Sequence, residues 1–209
     1  MSFVEDSHAV AQWLESYRER LDTAPVLSRV APGDIRDALP RHAPEEPEAL
    51  SSVLADLDRI LFPGLTHWQS PRFFAYFSTT GSEPGVLGEM LTAGLNNVGI
   101  LWRASPALQE LEEVTLAWLA QLLGLPTGLH GHLEEGASIS TIAALAAARD
   151  AKPGARVVVC SEHAHSSVDK ACKLLELGIR KTPADRAYRL RPDLLDLEGA
   201  CAVVATVGT

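Results

Sequence analysis

The stretch "ARVVVCSEHAHSSVDKACKLLELG", residues 155–178, decides how this chain is read. Val157, Val158 and Val159 form an unbroken β-branched run, which marks a strand buried on both faces rather than one with a wet side. After Cys160 the pattern turns polar. From Ser166 the apolar residues Val168, Ala171, Cys172 and Leu175 return at helical spacing, which predicts a helix over 166–178. A buried strand leading at once into a helix is half of a parallel βαβ unit. The run "ACAVVATVGT" at 200–209 has the same apolar character and predicts a second buried strand. His163 and His165 therefore fall at a strand's carboxyl end, where open α/β sheets bind their ligands.

Upstream, "GASISTIAALAAARD" (136–150) reads as a helix of small residues. "SPALQELEEVTLAWLAQLLG" (105–124) is a stronger one. Ser105 stands at its N-cap, Pro106 at its first position and Gly124 at its end, with a stripe of Leu108, Leu111, Thr115, Trp118, Leu119 and Leu122. "EPGVLGEMLTAGL" (83–95) is a third. Near the start, Val10, Trp13, Leu14, Tyr17 and Leu21 predict an amphipathic helix over 5–22. A proline-rich arm covers 25–47 and has few regular hydrogen bonds to offer. Another helix, striped by Leu50, Val53, Leu54, Leu57 and Leu61, stops before Pro63-Gly64. The aromatic stretch that follows is loop or short strand. Helices alternating with buried strands make the chain α/β.

Composition narrows the function. The chain is 46% hydrophobic and 22% charged, with a net charge of −9 and a pI near 5.2. No dense run of Lys or Arg is present, which argues against a nucleic-acid partner and against an anionic membrane surface. The first twenty residues carry Glu5, Asp6, Glu15, Arg18, Glu19 and Arg20 and do not resemble a signal peptide. The apolar stretch Ile142–Ala148 is far too short to span a bilayer. Cys160, Cys172 and Cys201 lack metal-like spacing and read as reduced thiols. A cytoplasmic protein is expected.

Four constellations are chemically competent, each beside a plainer reading. In "EEGASIST" (134–141), small residues lead into a helix whose free N–H groups and dipole favour an anion. The plainer reading is an ordinary helix start. His163 and His165 suit a metal shared with His130, His132 and Glu134, or a flat imidazole face against a planar cofactor, or a solvated loop. Trp68, Phe73, Phe74, Tyr76 and Phe77 suit an apolar pocket, or anchor the proline-rich arm. Arg72 and Arg103 suit a substrate carboxylate, or surface ion pairs.

Taken in order, "APEEPEAL", "LFPGLTHWQSPRFFAYFSTTGSEPGVLGEML", "NNVGILWRASPALQELEEVTLAWLAQLLGLP", "GASISTIAALAAAR", "CSEHAHSSVDKA" and "VVATVGT" resemble the N-terminal portion of the group II pyridoxal-phosphate-dependent amino-acid decarboxylases, the family of aromatic-L-amino-acid decarboxylase. The resemblance implies the type I pyridoxal-phosphate transferase fold. Residues 1–82 would be an N-terminal helical and extended dimerisation segment, and 83–209 the first part of the cofactor-binding large domain. It also implies a homodimer that converts an L-amino acid, aromatic or bulky, to the amine and CO₂. By the same resemblance, Ala137 and Ser138 hold the cofactor phosphate. His165 stacks on its ring and is the catalytic residue of this portion, and Thr209 lies beside a cofactor-contacting position. Thr79, Trp68, Tyr76, Phe77, Val98 and Ile100 line the substrate pocket. His163 receives no role.

Two departures stand out. The family's Schiff-base lysine and ring-nitrogen aspartate have no counterpart, since Lys152, Lys170, Lys173 and Lys181 all lack the family's His-Lys context. The chain, ending directly after a buried strand, is therefore expected to be an incomplete and inactive portion. Ile100 and Ser78 stand where the animal aromatic enzymes carry phenylalanine and proline, which loosens the tie to aromatic substrates. The alternatives are a non-catalytic homologue that only dimerises, and a metal-dependent enzyme built on the histidine pairs.

Overall fold

Helix α1 (Phe3–Arg20) starts on a reciprocal cap. The Ser2 side chain accepts the Glu5 N–H while the Glu5 carboxylate accepts the Ser2 N–H. The computed structural model describes residues 2–76 and 81–206 and divides into two compact units, 1–96 and 97–209. The first unit holds α1, the short α2 (Asp34–Ala38), α3 (Leu50–Asp56) and α4 (Glu83–Leu95). α3 runs directly into a π-helical turn, Leu57–Leu61, and a 3₁₀ turn at Phe62–Gly64. Among the described residues no helix is long and apolar enough to cross a membrane.

The first unit is knit by rings and one guanidinium. Arg20, at the end of α1, lies over the Phe62 ring at 4.4 Å and the Trp13 ring at 5.4 Å, and pairs with Asp58 at 2.7 Å. The Trp13 indole N–H donates to the same Asp58 carboxylate. Tyr17 stands with its hydroxyl 3.2 Å from Nδ1 of the buried His67, whose ring also packs on Phe62. Arg72 donates to the carbonyls of Leu21 and Ala24 at 3.2 and 2.7 Å, which closes the end of α1. Its place is therefore structural rather than on a substrate carboxylate.

Burial, aided by the nearby Arg20 charge, lowers the His67 pKa below the ordinary 6.5. The unfolded chain then takes up the proton first. This contribution to stability is whole above about pH 6.5 and is lost as the pH falls below that value towards the lowered folded pKa. The urea midpoint of the first unit should drop between pH 7.5 and 5.5. It should be flat over that window in His67→Gln, whose amide still offers an acceptor to Tyr17.

The second unit contains α5 (Pro106–Leu122), α6 (Ala137–Ala151), β1 (Val157–Ser161), α7 (Ser166–Leu174), β2 (Gly178–Thr182) and β3 (Ala200–Val204). The strands form a parallel sheet in the order β2-β1-β3. β1 is central, which explains the unbroken valines: Val158, Val159 and Cys160 are fully buried. Val158 and Cys160 share one face with Leu145 of α6, with Val168, Ala171 and Cys172 of α7, and with Leu177 and Cys201. The three thiols are free, and burial raises the pKa of Cys160 and Cys172.

Several sequence expectations change here. β2 was not expected, because Arg180 and Lys181 break its apolar character; it is an edge strand. α7 stops at Leu174 instead of reaching 178. Glu176 turns left-handed (φ 55°) and the Leu177 N–H reaches back to the Cys172 carbonyl at 2.8 Å, a Schellman-type end. The stripes of α4 and α5 contain no buried residue; Leu91, Leu111, Trp118 and Leu122 are all exposed.

Candidate active site

The sheet's topology brings two helix starts to one edge. α7 begins just after the carboxyl end of β1. α6 is joined to the start of β1 by the 152–156 turn and lays Leu145 on Val158 and Cys160, so it runs antiparallel to β1. Its own first residue therefore also lies at the carboxyl end of the strands. The two helices pack against each other along that face. Ala137, Ser138 and His165 share this edge.

Each start is prepared differently. α6 has Gly136 as its N-cap, in extended backbone and with no side-chain acceptor. The amides of Ile139 and Ser140 bond back to the Gly136 carbonyl. The Ser140 and Thr141 hydroxyls donate to the Ala137 carbonyl instead of turning to the helix start. Among the described residues, the Ala137 and Ser138 amides have no protein acceptor, and a Cβ added at Gly136 would meet nothing within 4 Å. Two exposed N–H groups at the positive end of a helix form an anion site in chemical character.

α7 is capped by His165 itself. Its Nδ1 accepts the Ser167 N–H at 3.2 Å and lies 3.1 Å from the Ser167 hydroxyl. With Nδ1 accepting, the neutral ring carries its proton on Nε2. Ser167 is buried, so the imidazole is pinned at one nitrogen while its face stays exposed. Sequence reasoning missed Ser167; its one signal was a second serine after the histidine, at the position a capping side chain reaches.

The other candidates belong to other segments of the chain. Trp68 and Tyr76, in the first unit, are stacked at 5.3 Å and 3°, with Phe73 behind Trp68 at 4.9 Å. Tyr76 is 85% exposed with φ 59°, a conformation that an aromatic residue rarely adopts. Val98 and Ile100 are exposed in the second unit, beside a turn that Gln109 holds through the Gly99 carbonyl. Phe77, Thr79 and Thr209 lie outside the described residues. The histidine pairs have separate partners: His132 meets Glu112 at 3.0 Å, and His163 meets Tyr188 edge-on. Among the described residues no group of three or more His, Cys, Asp or Glu is poised for a metal ion.

Residues 32–208 match the family model of the pyridoxal-dependent decarboxylase conserved domain. The chain belongs to that family. Among relatives of this decarboxylase-family chain, phenylacetaldehyde synthase of a Rosa hybrid cultivar is 37% identical, over 99% of this chain and 47% of its own length. Tyrosine decarboxylase 2 of Narcissus pseudonarcissus is 40% identical, over 98% of this chain and 47% of its own. Among solved structures, Rhodiola rosea 4-hydroxyphenylacetaldehyde synthase superposes with a TM-score of 0.85 at 34% identity, covering 92% of this chain and 46% of that one. Oryza sativa TDC with PLP and tryptamine superposes with a TM-score of 0.80 at 32% identity, covering 89% and 45%. The chain thus spans about half the length of the curated relatives it matches.

Proposed function

We propose that this chain supplies the phosphate-gripping and ring-stacking part of a pyridoxal-phosphate-dependent decarboxylase acting on aromatic L-amino acids. The observation that carries this reading is the shared edge of α6 and α7, with bare amides at one helix start and a pinned imidazole at the other. When bound, pyridoxal phosphate accepts the electron pair released as a carboxylate departs from Cα. The Ala137 and Ser138 amides, and the Ser138 hydroxyl, hold the phosphate against the α6 dipole. His165 would cover the ring, with its proton kept on Nε2 by the Ser167 bond at Nδ1. Trp68 and Tyr76, with Phe77, Thr79, Val98 and Ile100, belong to the substrate side. The stacked pair Trp68–Tyr76 and the tyrosine- and tryptophan-named relatives both favour an aromatic substrate. Thr209 belongs to the cofactor side.

The assembly we propose is a homodimer in the cytoplasm, residues 1–82 forming the dimerising segment and 83–209 the cofactor-binding part. The exposed leucines of α4 suit a second copy as cover. No lysine of the chain suits the resting cofactor. Lys152 ends α6 at the far edge of the sheet, Lys181 is paired with Asp169 at 2.9 Å, and Lys170 and Lys173 ride on α7. The chain by itself binds the cofactor without covalent attachment and does not turn over.

Titration of the purified protein with pyridoxal phosphate, followed by absorbance, tests this. Pyridoxal lacking the phosphate should bind at least about tenfold more weakly, the worth of charge-assisted bonds to two amides. Equal binding of the two would remove the phosphate site. An adduct fixed by borohydride, together with amine formation, would overturn the reading of the lysines.

A further inference from the structure

His163 has a partner that its sequence did not announce. After β2 the chain folds back as a hairpin, closed by an antiparallel bridge between Ala184 and Leu190. Asp185 stiffens it: its carboxylate accepts the N–H groups of Ala187 and Arg189 at 2.8 and 2.9 Å and the Arg189 Nε–H at 2.9 Å. Those bonds, the Arg189 N–H first, hold the Asp185 pKa below the usual carboxylate value. At the tip, Tyr188 sits at φ 61° and its ring meets the His163 ring edge-on, at 5.4 Å and 62°. Left-handed backbone at an aromatic residue costs energy and survives only where its surroundings over-determine it.

The hairpin is tied to the same loop a second time. The Glu162 N–H donates to the Thr182 carbonyl at 3.0 Å, and the Glu162 carboxylate accepts the Ala184 N–H at 2.8 Å. Two consecutive residues of the β1–α7 turn, Glu162 and His163, are thus clasped by one hairpin. His165 follows two residues later.

We propose that Tyr188 and His163 are positioning residues: the hairpin clasp fixes the turn so that His165 caps α7 through Ser167 and presents its ring to the cofactor. The last clause rests on the proposed function; the clasp itself does not. The reporter is the Ser167 amide, whose proton is held by His165 Nδ1 whether or not cofactor is present.

Hydrogen exchange of the protein without cofactor tests the clasp. Tyr188→Ala and His163→Ala should each speed exchange of the Ser167 amide about three- to tenfold, the worth of an edge-on ring pair. The Val158–Cys160 amides of β1 should keep their rates. Tyr188→Phe retains the ring and should match the wild type. The double variant should do no more than either single one. Unchanged Ser167 exchange in Tyr188→Ala, or equal acceleration throughout β1, overturns the proposal. Pyridoxal phosphate titration of the same variants then separates the two claims. Faster Ser167 exchange with no cofactor binding, even in the wild type, leaves the clasp standing and removes the proposed function. Faster exchange with weaker binding supports both.

Discussion

Ala137→Asp is expected to weaken pyridoxal phosphate binding at least about a hundredfold while leaving the protein slightly more heat-stable. The two effects come from one charge. A carboxylate in the first turn of α6 satisfies the helix dipole, worth about 0.3–1 kcal/mol. It also stands where the proposed site puts the phosphate. Two like unit charges 4–5 Å apart, at an effective dielectric near 20, repel by about 3–4 kcal/mol, more than two orders of magnitude in affinity. Ala137 is exposed, so a larger side chain there does not enter the core. Ala137→Asn, of similar size and uncharged, separates charge from bulk and should lose far less. A cofactor titration beside a thermal melt reads both quantities. Binding within about fivefold of the wild type in Ala137→Asp would mean that the phosphate is held elsewhere.

Leu145→Ala should cost the second unit about 2–5 kcal/mol, the usual range for a buried leucine cut back to alanine in a core that cannot collapse around the gap. Leu145 is 4% exposed and is the buried residue of α6 that meets the sheet. Because α6 carries the bare amides of Ala137 and Ser138, cofactor affinity should fall with stability in this variant, in contrast to Ala137→Asp. Leu145→Met keeps the volume and should cost less than about 1.5 kcal/mol. Urea unfolding measures both. A loss under about 1 kcal/mol for the alanine variant would show that α6 is not anchored through this residue.

Much of this architecture was legible in the residues. β1 announced itself because a central strand is apolar on both faces. β3 shares the apolar pattern but ends the described sheet with Cys201 as its one buried residue, not buried throughout as expected. α4, α5 and α6 were marked by the proline, serine and glycine that punctuate them. Gly124 ends α5 in left-handed backbone, φ 66°, as its position implied. β2 stayed hidden because an edge strand tolerates charge. Arg180 and Lys181 find partners there, in the Asp196 and Glu198 carbonyls and in the Asp169 carboxylate, none of them adjacent in sequence. The π-helical turn at Leu57–Leu61 escaped because Leu57 and Leu61 keep the spacing of an ordinary helix. The stripes of α4 and α5 were visible as patterns, but a pattern says that a face prefers apolar contact and not what supplies it.

The candidate site was legible only in its parts. Gly136-Ala137-Ser138 and His165 could be picked out as small residues before a helix and an imidazole after a strand. Their common edge required the sheet. Ser167 and Tyr188 could not be found beforehand, because each acts through a contact that depends on the fold: one through a cap made by histidine, where serine is the usual choice, the other through a hairpin returning from β2.

Cys160, Cys172 and Cys201 come from a strand, a helix and another strand, yet they lie in a single core. Oxidants and alkylating reagents can reach that sulfur only when the layer of helices lifts off the strands. Thiol chemistry in this protein is therefore a gauge of how often the sheet and its covering helices breathe, and an intact, reduced set is a sign that this layer has stayed shut.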